Sequence, residues 1–402
     1  MKIGYDAKRA FHNFTGLGNY SRTLIETLTT HFPENEYHLF TPKLNDSFRV
    51  SPIIVPPSVS VHLPSGFSKK IPALWRSHSI KNDIKKSGIQ IFHGLSHELP
   101  LSLKGVRTVV TMHDLIHERY PEFYPFIDRK IYSFKFKKAC QQADIVVAIS
   151  EQTKRDIVDF YNIEPSKIQV IYQSCDPIFY KESFLASKFS NFHGKTGAEV
   201  TKDFVIKKYN LPPNFILYVG TVNERKNLLG LTHALKALEN QQDINLVAIG
   251  DGGAYFQKVK KYVVENGLQK RVYFIPKIDF TDLPSIYKLA RVFVLPSFFE
   301  GFGIPIIEAL WSGTPVISSV NSCFSEAGGV DSIYVNPHDI EALAAAINRV
   351  WHDENLRSEM ILRGSNFVEK FDAEIIGQQW IALYQSLLWI VLFVFNSFMY
   401  IM

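Results

Sequence analysis

Short apolar runs alternate with longer stretches of mixed polarity along the whole chain. In the first half, runs at 2–7, 37–42, 90–94, 107–113, 145–150 and 168–172 predict strands. In the second half, runs at 215–220, 245–250, 272–276, 292–297, 315–319 and 333–335 do the same. Continuous apolar strands separated by helical stretches argue for parallel sheets covered on both faces. Two such series predict an α/β protein of two doubly wound domains. Between the series the chain is polar and irregular over 181–208. Gly194-Lys195-Thr196-Gly197 falls there, without a preceding apolar strand or the first glycine of a phosphate loop, so it reads as linker. The expected organisation is a first domain over 1–180, a linker or insertion over 181–210 and a second domain over 211–370. A closing helix over 371–386 and an apolar tail over 387–402 follow.

Composition changes this picture little. Apolar residues make up 46% and charged residues 21% of 402 positions, ordinary values for a chain with full cores. The net charge of +5 permits anionic ligands or a membrane surface without calling for nucleic acid, and none is expected as a partner. Cys140, Cys175 and Cys323 match no zinc or redox spacing, which fits a reducing cytoplasm. The first residues read as a strand rather than a secretory leader. Two stretches bear on membranes. The tail runs 16 residues without a charge, short of the roughly 20 that a spanning helix needs. It reads either as a membrane contact or as a packed segment. The run 129–138 mixes cations and aromatics, and reads either as a surface for anionic lipid or as a solvated helix with buried aromatics.

Candidate chemistry concentrates at strand ends. Glu300 and Glu308 lie eight positions apart around Gly301, Phe302, Gly303 and Ile304, just after the apolar run 292–297. The spacing predicts Glu300 on a loop and Glu308 about one turn into a helix over 304–311, with Pro305 in its first turn. Strand, glycine loop and helix N-terminus form the usual ligand crevice of an open α/β sheet. Two carboxylates there suit a polyhydroxylated ligand, because each accepts several hydroxyl hydrogen bonds. A second cluster follows the run 215–220. After Gly220, Arg225 and Lys226 are expected at the start of a helix, where amides and cations together hold an anion. Gly16 and Gly18 precede an expected helix over 20–30, though Ser21 stands where a dinucleotide fingerprint has its third glycine. His113 ends the run 107–113, and His97 and Glu98 follow 90–94. Gly250 ends the run 245–250, and Ser150 is a credible cap for the helix that follows 145–150.

The Glu300–Glu308 segment resembles the E-x7-E signature of retaining glycosyltransferases of the GT-B fold, family 4. The resemblance spans most of the chain and is nearest to bacterial mannosyltransferases of O-antigen and related polysaccharides. Met112-His113-Asp114-Leu115 and Cys175-Asp176-Pro177-Ile178-Phe179 carry that placement. Ser174-Cys175 and Asn223-Glu224 depart from the usual pattern without touching the main motifs.

The resemblance implies two Rossmann-like domains facing across a cleft, with the nucleotide on the second and the acceptor on the first. It implies that Glu308 holds the ribose, Glu300 the donor sugar, and Arg225 and Lys226 the diphosphate. His113 would position the sugar. Gly16, Gly18, Gly220, Gly250, Phe302, Gly303 and Ile304 would line the donor site. The chain has no Asp-x-Asp, so cationic side chains would replace a metal, and neither metal nor cofactor is expected. The expected enzyme is a retaining hexosyltransferase, with GDP-mannose as the best-fitting donor and a glycan or lipid-linked oligosaccharide as acceptor. It would act in the cytoplasm or peripherally at the inner face of the plasma membrane. A nucleotide-sugar 2-epimerase of the same fold and a non-catalytic GT-B subunit are the alternatives. The Gly-Phe-Gly-Ile-Pro spacing between the glutamates argues against the first, and the intact charged residues argue against the second.

Overall fold

The computed structural model describes residues 1–45, 47, 49–65, 71, 75–100, 103–180 and 202–399. Its contacts divide the chain into two compact units, Met1–Asp176 with Phe371–Met402, and Pro177–Lys370. The Gly194–Gly197 run lies outside the described residues.

The first unit is built on a parallel sheet of seven strands. These are β1 (Lys2–Asp6), β2 (Glu36–Phe40), β3 (Val59–His62), β4 (Ile91–Gly94), β5 (Arg107–Met112), β6 (Ile145–Ala148) and β7 (Ile168–Val170). Their order is β3-β2-β1-β4-β5-β6-β7. Each neighbouring pair is parallel, with Ile3 opposite both Tyr37 and Ile91. The second unit holds β8 (Ile216–Val219), β9 (Leu246–Ile249), β10 (Val272–Ile275), β11 (Val292–Leu295), β12 (Val316–Ser319) and β13 (Ile333–Val335). Their order is β10-β9-β8-β11-β12-β13, also parallel. In both sheets the chain winds outward one way and then returns to wind the other way. The reversal lies between β1 and β4 in one sheet and between β8 and β11 in the other. Loops leaving the carboxyl ends of strands at such a reversal splay apart and open a crevice.

Burial explains the elements. Val292–Leu295 and Leu246–Ile249 are buried throughout, as strands covered on both faces must be. β3 was not expected from the sequence. It is a half-exposed edge strand, and the Val-Ser-Val-His run after Pro56-Pro57 lacks the continuous apolar signal of the inner strands. The expected helix over 20–30 spans Gly16–His31. It begins early because the Asn13 carboxamide accepts from the Thr15 and Gly18 amides, winding the first turn from outside the helix.

The C-terminal helix, Ala373–Met399, packs against Gly16–His31. Ile376, Trp380, Ile381, Leu383, Tyr384 and Leu387 join the core of the first unit, alongside Ile3, Tyr5 and Leu24. Among the described residues, no helix is long and apolar enough to cross a membrane.

Candidate active site

In the second unit, the loops after β8 and β11 meet at the sheet's reversal. The Phe298 amide donates to the Arg225 carbonyl at 2.8 Å, tying one loop to the other. Arg225 and Lys226 do not open a helix as expected. They lie in a 3-10 turn, Glu224–Lys226, and the α-helix Leu228–Ala237 follows. Two asparagines cause this. The Asn223 side chain accepts from the Lys226 amide at 3.1 Å, capping the turn. Asn227, in a left-handed conformation (φ 52°), caps the next helix by accepting from the Gly230 amide. The chain therefore pauses between two caps, and both cations leave the same tight turn.

Those cations converge on Glu300. Arg225 Nη1 lies 2.7 Å from Glu300 Oε2, and Lys226 Nζ lies 2.7 Å from Oε1. Ser297 Oγ donates to Oε1 at 3.0 Å, and Arg225 also donates to the Phe299 carbonyl. Burial, the largest single influence on this carboxyl, raises its pKa. The two cations together outweigh burial and bring it down to about 2. Glu300 is therefore an anion held in a cationic fork, with little water around it.

The Glu300 loop is pinned from below. Ser322 Oγ and Cys323 Sγ donate to the Glu300 carbonyl at 3.0 and 3.1 Å, and Cys323 Sγ also reaches the Phe302 carbonyl at 3.0 Å. Burial raises the Cys323 pKa well above the usual thiol range, which keeps the thiol protonated as a donor. Phe302 is buried, and Gly303 (φ 107°) is the N-cap of the expected helix Ile304–Trp311. Gly303 has no side chain with which to cap that helix end, so Gly303 and Ile304 present backbone there. Glu308 sits in its second turn, buried, with Oε2 accepting from Tyr287 Oη at 3.0 Å. Gly220 and Gly250 lie side by side at the ends of β8 and β9. A Cβ on Gly250 would fall 2.0 Å from the Gly220 carbonyl oxygen, so only glycine permits this approach.

In the first unit, the structure joins the glycine loop to His113. Tyr20, in the helix Gly16–His31, packs edge-on against the His113 ring with centroids 4.6 Å apart. His113 Nε2 lies 2.8 Å from the Leu95 carbonyl, which fixes it as the protonated nitrogen. Nδ1 then accepts from Gln173 Nε2 at 3.2 Å. Burial is the main reason its pKa falls to about 3, so the ring is neutral near pH 7. The His113 amide donates to His97 Nε2 at 2.9 Å, and His97 stands in a left-handed conformation (φ 63°). His113 is thus a locked, uncharged ring.

A Cβ on Gly18 would fall 1.6 Å from the Asn13 carbonyl oxygen, whereas one on Gly16 would meet nothing within 4 Å. Gly18 is required by the fold and Gly16 is not. Glu98 is paired, together with Asp6 at the end of β1, to a residue the sequence did not single out. Arg76 reaches Asp6 Oδ2 at 2.5 Å and Glu98 Oε2 at 3.1 Å.

Sequence reasoning missed other supporting residues. Ser297 and Asn223 stand two or three positions from recognised motif residues, and a capping argument could have found Asn223. Tyr287, Ser322 and Cys323 reach the site only through the fold. Among the described residues, no group of three or more His, Cys, Asp or Glu side chains is placed to hold a metal ion.

Comparison with protein families decides what this arrangement belongs to. Residues 14–178 match the model of glycosyltransferase family 4, and residues 200–367 match that of the glycosyl transferases group 1. The two matches together take in most of the chain. The chain belongs to this family of glycosyltransferases. The glycosyltransferase is 28% identical to an O-antigen chain mannosyltransferase B of Escherichia coli, over 96% of this chain and 100% of that one. It is 29% identical to the O-antigen chain mannosyltransferase RfbU of Salmonella typhimurium, over 71% of each. Its fold is similar to sucrose-phosphate synthase of Thermosynechococcus elongatus (TM-score 0.74, 22% identity, covering 96% of this chain and 99% of that one). It is also similar to the HepE protein of Anabaena solved with UDP and glucose (TM-score 0.73, 17% identity, covering 96% and 100%). The two Rossmann-like sheets are those of the GT-B fold.

Proposed function

We propose that the glycosyltransferase is a retaining, metal-independent mannosyltransferase, moving mannose from GDP-mannose to a glycan or lipid-linked oligosaccharide in surface-polysaccharide synthesis. The observation that carries this reading is the Arg225–Glu300–Lys226 cluster at the reversal of the second sheet. Two cations in a site with little water are suited to the charge that develops on a departing diphosphate, where preorganised donors act most strongly. Glu300 occupies that fork in the structure. Donor binding exchanges carboxylate for phosphate on Arg225 and Lys226, and the freed Glu300 oxygens accept hydroxyls of the sugar. Glu308, oriented by Tyr287, accepts the ribose hydroxyls. His113, neutral and locked, positions the sugar rather than moving a proton. The leaving phosphate assists attack on the face it departs from, which preserves the anomeric configuration. Mannose is favoured over other hexoses by the end-to-end likeness to an O-antigen mannosyltransferase. The proposed place of action is the cytoplasmic face of the plasma membrane.

The test is to incubate the purified full chain, in excess EDTA, with GDP-mannose, UDP-glucose, UDP-galactose and UDP-N-acetylglucosamine in parallel. A mannan-type acceptor is supplied, and products are read by mass spectrometry and NMR. Consumption of GDP-mannose with an α-linked product is expected. A preference for another donor, a β-linked product, or activity restored only by magnesium or manganese would each overturn the corresponding part. Release of a free 2-epimerised sugar would favour the epimerase.

A further inference from the structure

We propose that Asp6, Arg76 and Glu98 form the site that reads the terminal sugar of the acceptor, and that they read it as a neutral ring through its hydroxyls. The three meet at the reversal of the first sheet, where a crevice opens at the carboxyl ends of β1 and β4. Asp6 is the last residue of β1, and Glu98 lies in the loop that leaves β4. That loop folds back on its strand. A Cβ on Gly94 would fall 2.0 Å from the Glu98 carbonyl oxygen, so a side chain there would block the approach. Arg76 comes from a single helical turn, Trp75–Ser79, whose buried Trp75 donates Nε1 to Asp83 Oδ2 at 2.8 Å. Arg76 Nε and Nη2 donate to Asp6 Oδ2 at 3.2 and 2.5 Å, and Nη2 donates again to Glu98 Oε2 at 3.1 Å. The Lys8 amide donates to the other Asp6 oxygen at 3.2 Å, and Lys135 Nζ stands 3.6 Å from Glu98 Oε1. The side chains are 10% (Asp6), 17% (Arg76) and 36% (Glu98) exposed, so the cluster opens to solvent at Glu98.

Stability alone gives this cluster little purpose, since the desolvation of half-buried ion pairs offsets most of their attraction. Its position gives it one. His97 precedes Glu98, its ring lies 5.1 Å from that of His113, and its Nε2 accepts from the His113 amide. The ring proposed to position the donor sugar is thus held by the same loop that carries Glu98. An acceptor hydroxyl has to be brought to the donor sugar in a fixed geometry, and groups beside His113 are placed to hold the ring that bears it. The mixture of charges selects the moiety. Carboxylates accept hydrogen bonds from hydroxyls, and guanidinium and ammonium groups donate to them, so a neutral polyol engages both signs. Arg76 and Lys135 are matched in charge by Asp6 and Glu98, and the two carboxylates oppose a diphosphate at short range. The cluster therefore suits the sugar end of an acceptor rather than a lipid-linked phosphate. The inference rests on the proposed role of His113 but not on which nucleotide sugar is the donor.

The test is saturation-transfer NMR on the full chain with three neutral disaccharides, mannobiose, lactose and chitobiose, and with farnesyl diphosphate, each in excess GDP. At least one disaccharide is expected to bind, with the strongest transfer to its non-reducing ring. Glu98→Gln and Arg76→Lys are each expected to weaken that binding about tenfold or more, the scale of losing a hydrogen bond to a charged group. GDP affinity and melting temperature should stay as in the unsubstituted protein. If Arg76→Lys does not fold, the more exposed Glu98→Gln decides alone. Disaccharide binding that folded Glu98→Gln retains in full would overturn the proposal, as would the absence of disaccharide binding to the unsubstituted chain. So would farnesyl diphosphate binding that Glu98→Gln strengthens, which would put the lipid carrier at this cluster. Loss of GDP affinity in step with disaccharide affinity would also overturn it, leaving the cluster a structural role. The readout needs no turnover, so disaccharide binding through Glu98 in a chain that ignores GDP-mannose would fail the donor reading alone.

Discussion

Glu300 is the residue on which the second unit's charges balance. Its single carboxylate pairs with two half-buried cations that would otherwise repel one another across a tight turn. Arg225→Ala and Lys226→Ala are each expected to lower kcat by about 2–4 kcal/mol of barrier, the scale of losing one preorganised donor. Steady-state kinetics with the donor check this, and near-normal turnover in the double variant would remove the diphosphate assignment. Glu308→Gln is expected to raise KM more than it lowers kcat, because a ribose contact is similar in ground and transition states. Glu300 also has a signature in stability. Its folded pKa of about 2 lies below the ordinary carboxyl value, so its contribution is full above the unfolded value and lost as pH falls through the folded one. Denaturant titrations of the wild type and Glu300→Gln should differ by an amount on the order of 2–3 kcal/mol from pH 8 to about 5. The gap should narrow steadily toward pH 2. A gap independent of pH would show that the ion pairs do not contribute in this way.

At the scale of elements, the glycine loop separates what looked alike in sequence. Gly16 and Gly18 stand two apart in one motif, yet a side chain at Gly18 would collide with the Asn13 carbonyl while one at Gly16 would enter open space. Gly18→Ala is expected to destabilise by about 1–3 kcal/mol through overpacking. Gly16→Ala should stay within about 0.5 kcal/mol of wild type, as surface changes do. Urea unfolding of the two variants decides it, and equal effects would mean the turn relaxes. The inner strands and the helix Ile304–Trp311 were legible because continuous apolar runs and a proline in the first turn are local signals. β3 was not legible, since an edge strand needs no continuous apolar run. The 3-10 turn at Arg225 was partly hidden. Asn223 and Asn227 are good caps, but two helical segments separated by a single residue read as one.

Across the whole chain, the first unit holds three histidines neutral. Burial, aided by neighbouring charges, takes His93, His97 and His113 each to about 3. Their folded pKa values lie below the unfolded one near 6.5, so the unfolded chain binds protons that the folded chain refuses. Stability is therefore present above about pH 6.5 and falls as pH drops toward 3. His93→Gln should flatten that acid slope by about one proton, or ~1.4 kcal/mol per pH unit. Proton uptake on unfolding, measured from the pH dependence of the denaturant midpoint, tests this. An unchanged slope would place a charged His93 in the folded state. The same histidine ties the C-terminal helix to the sheet, with His93 Nδ1 2.8 Å from Tyr384 Oη and Nε2 2.7 Å from Thr111 Oγ1. Truncation after Leu387 keeps Ile376, Trp380, Ile381, Leu383, Tyr384 and Leu387, the buried core residues described in that helix, and should leave the melting temperature nearly unchanged. Truncation after Asp372 removes Trp380 and Tyr384 and should leave the first unit unable to fold, since one large core aromatic alone is worth about 3–5 kcal/mol.

The sequence by itself determined two series of parallel strands, the loop and helix carrying Glu300 and Glu308, and the cations at 225 and 226. Each of these rests on near neighbours along the chain: apolar runs, glycines, a proline and fixed spacing. Only the tertiary structure decided which charges meet. Arg225, Lys226 and Glu300 are 74 or 75 positions apart and come together because β8 and β11 are adjacent where the sheet reverses. It also decided that Tyr287 holds Glu308 and that Cys323 holds the Glu300 loop. It turned His113 into a locked neutral ring, and it left Phe126, Ile127 and Phe134 facing water. Strand order and burial are sums over distant contacts, and no local pattern encodes them.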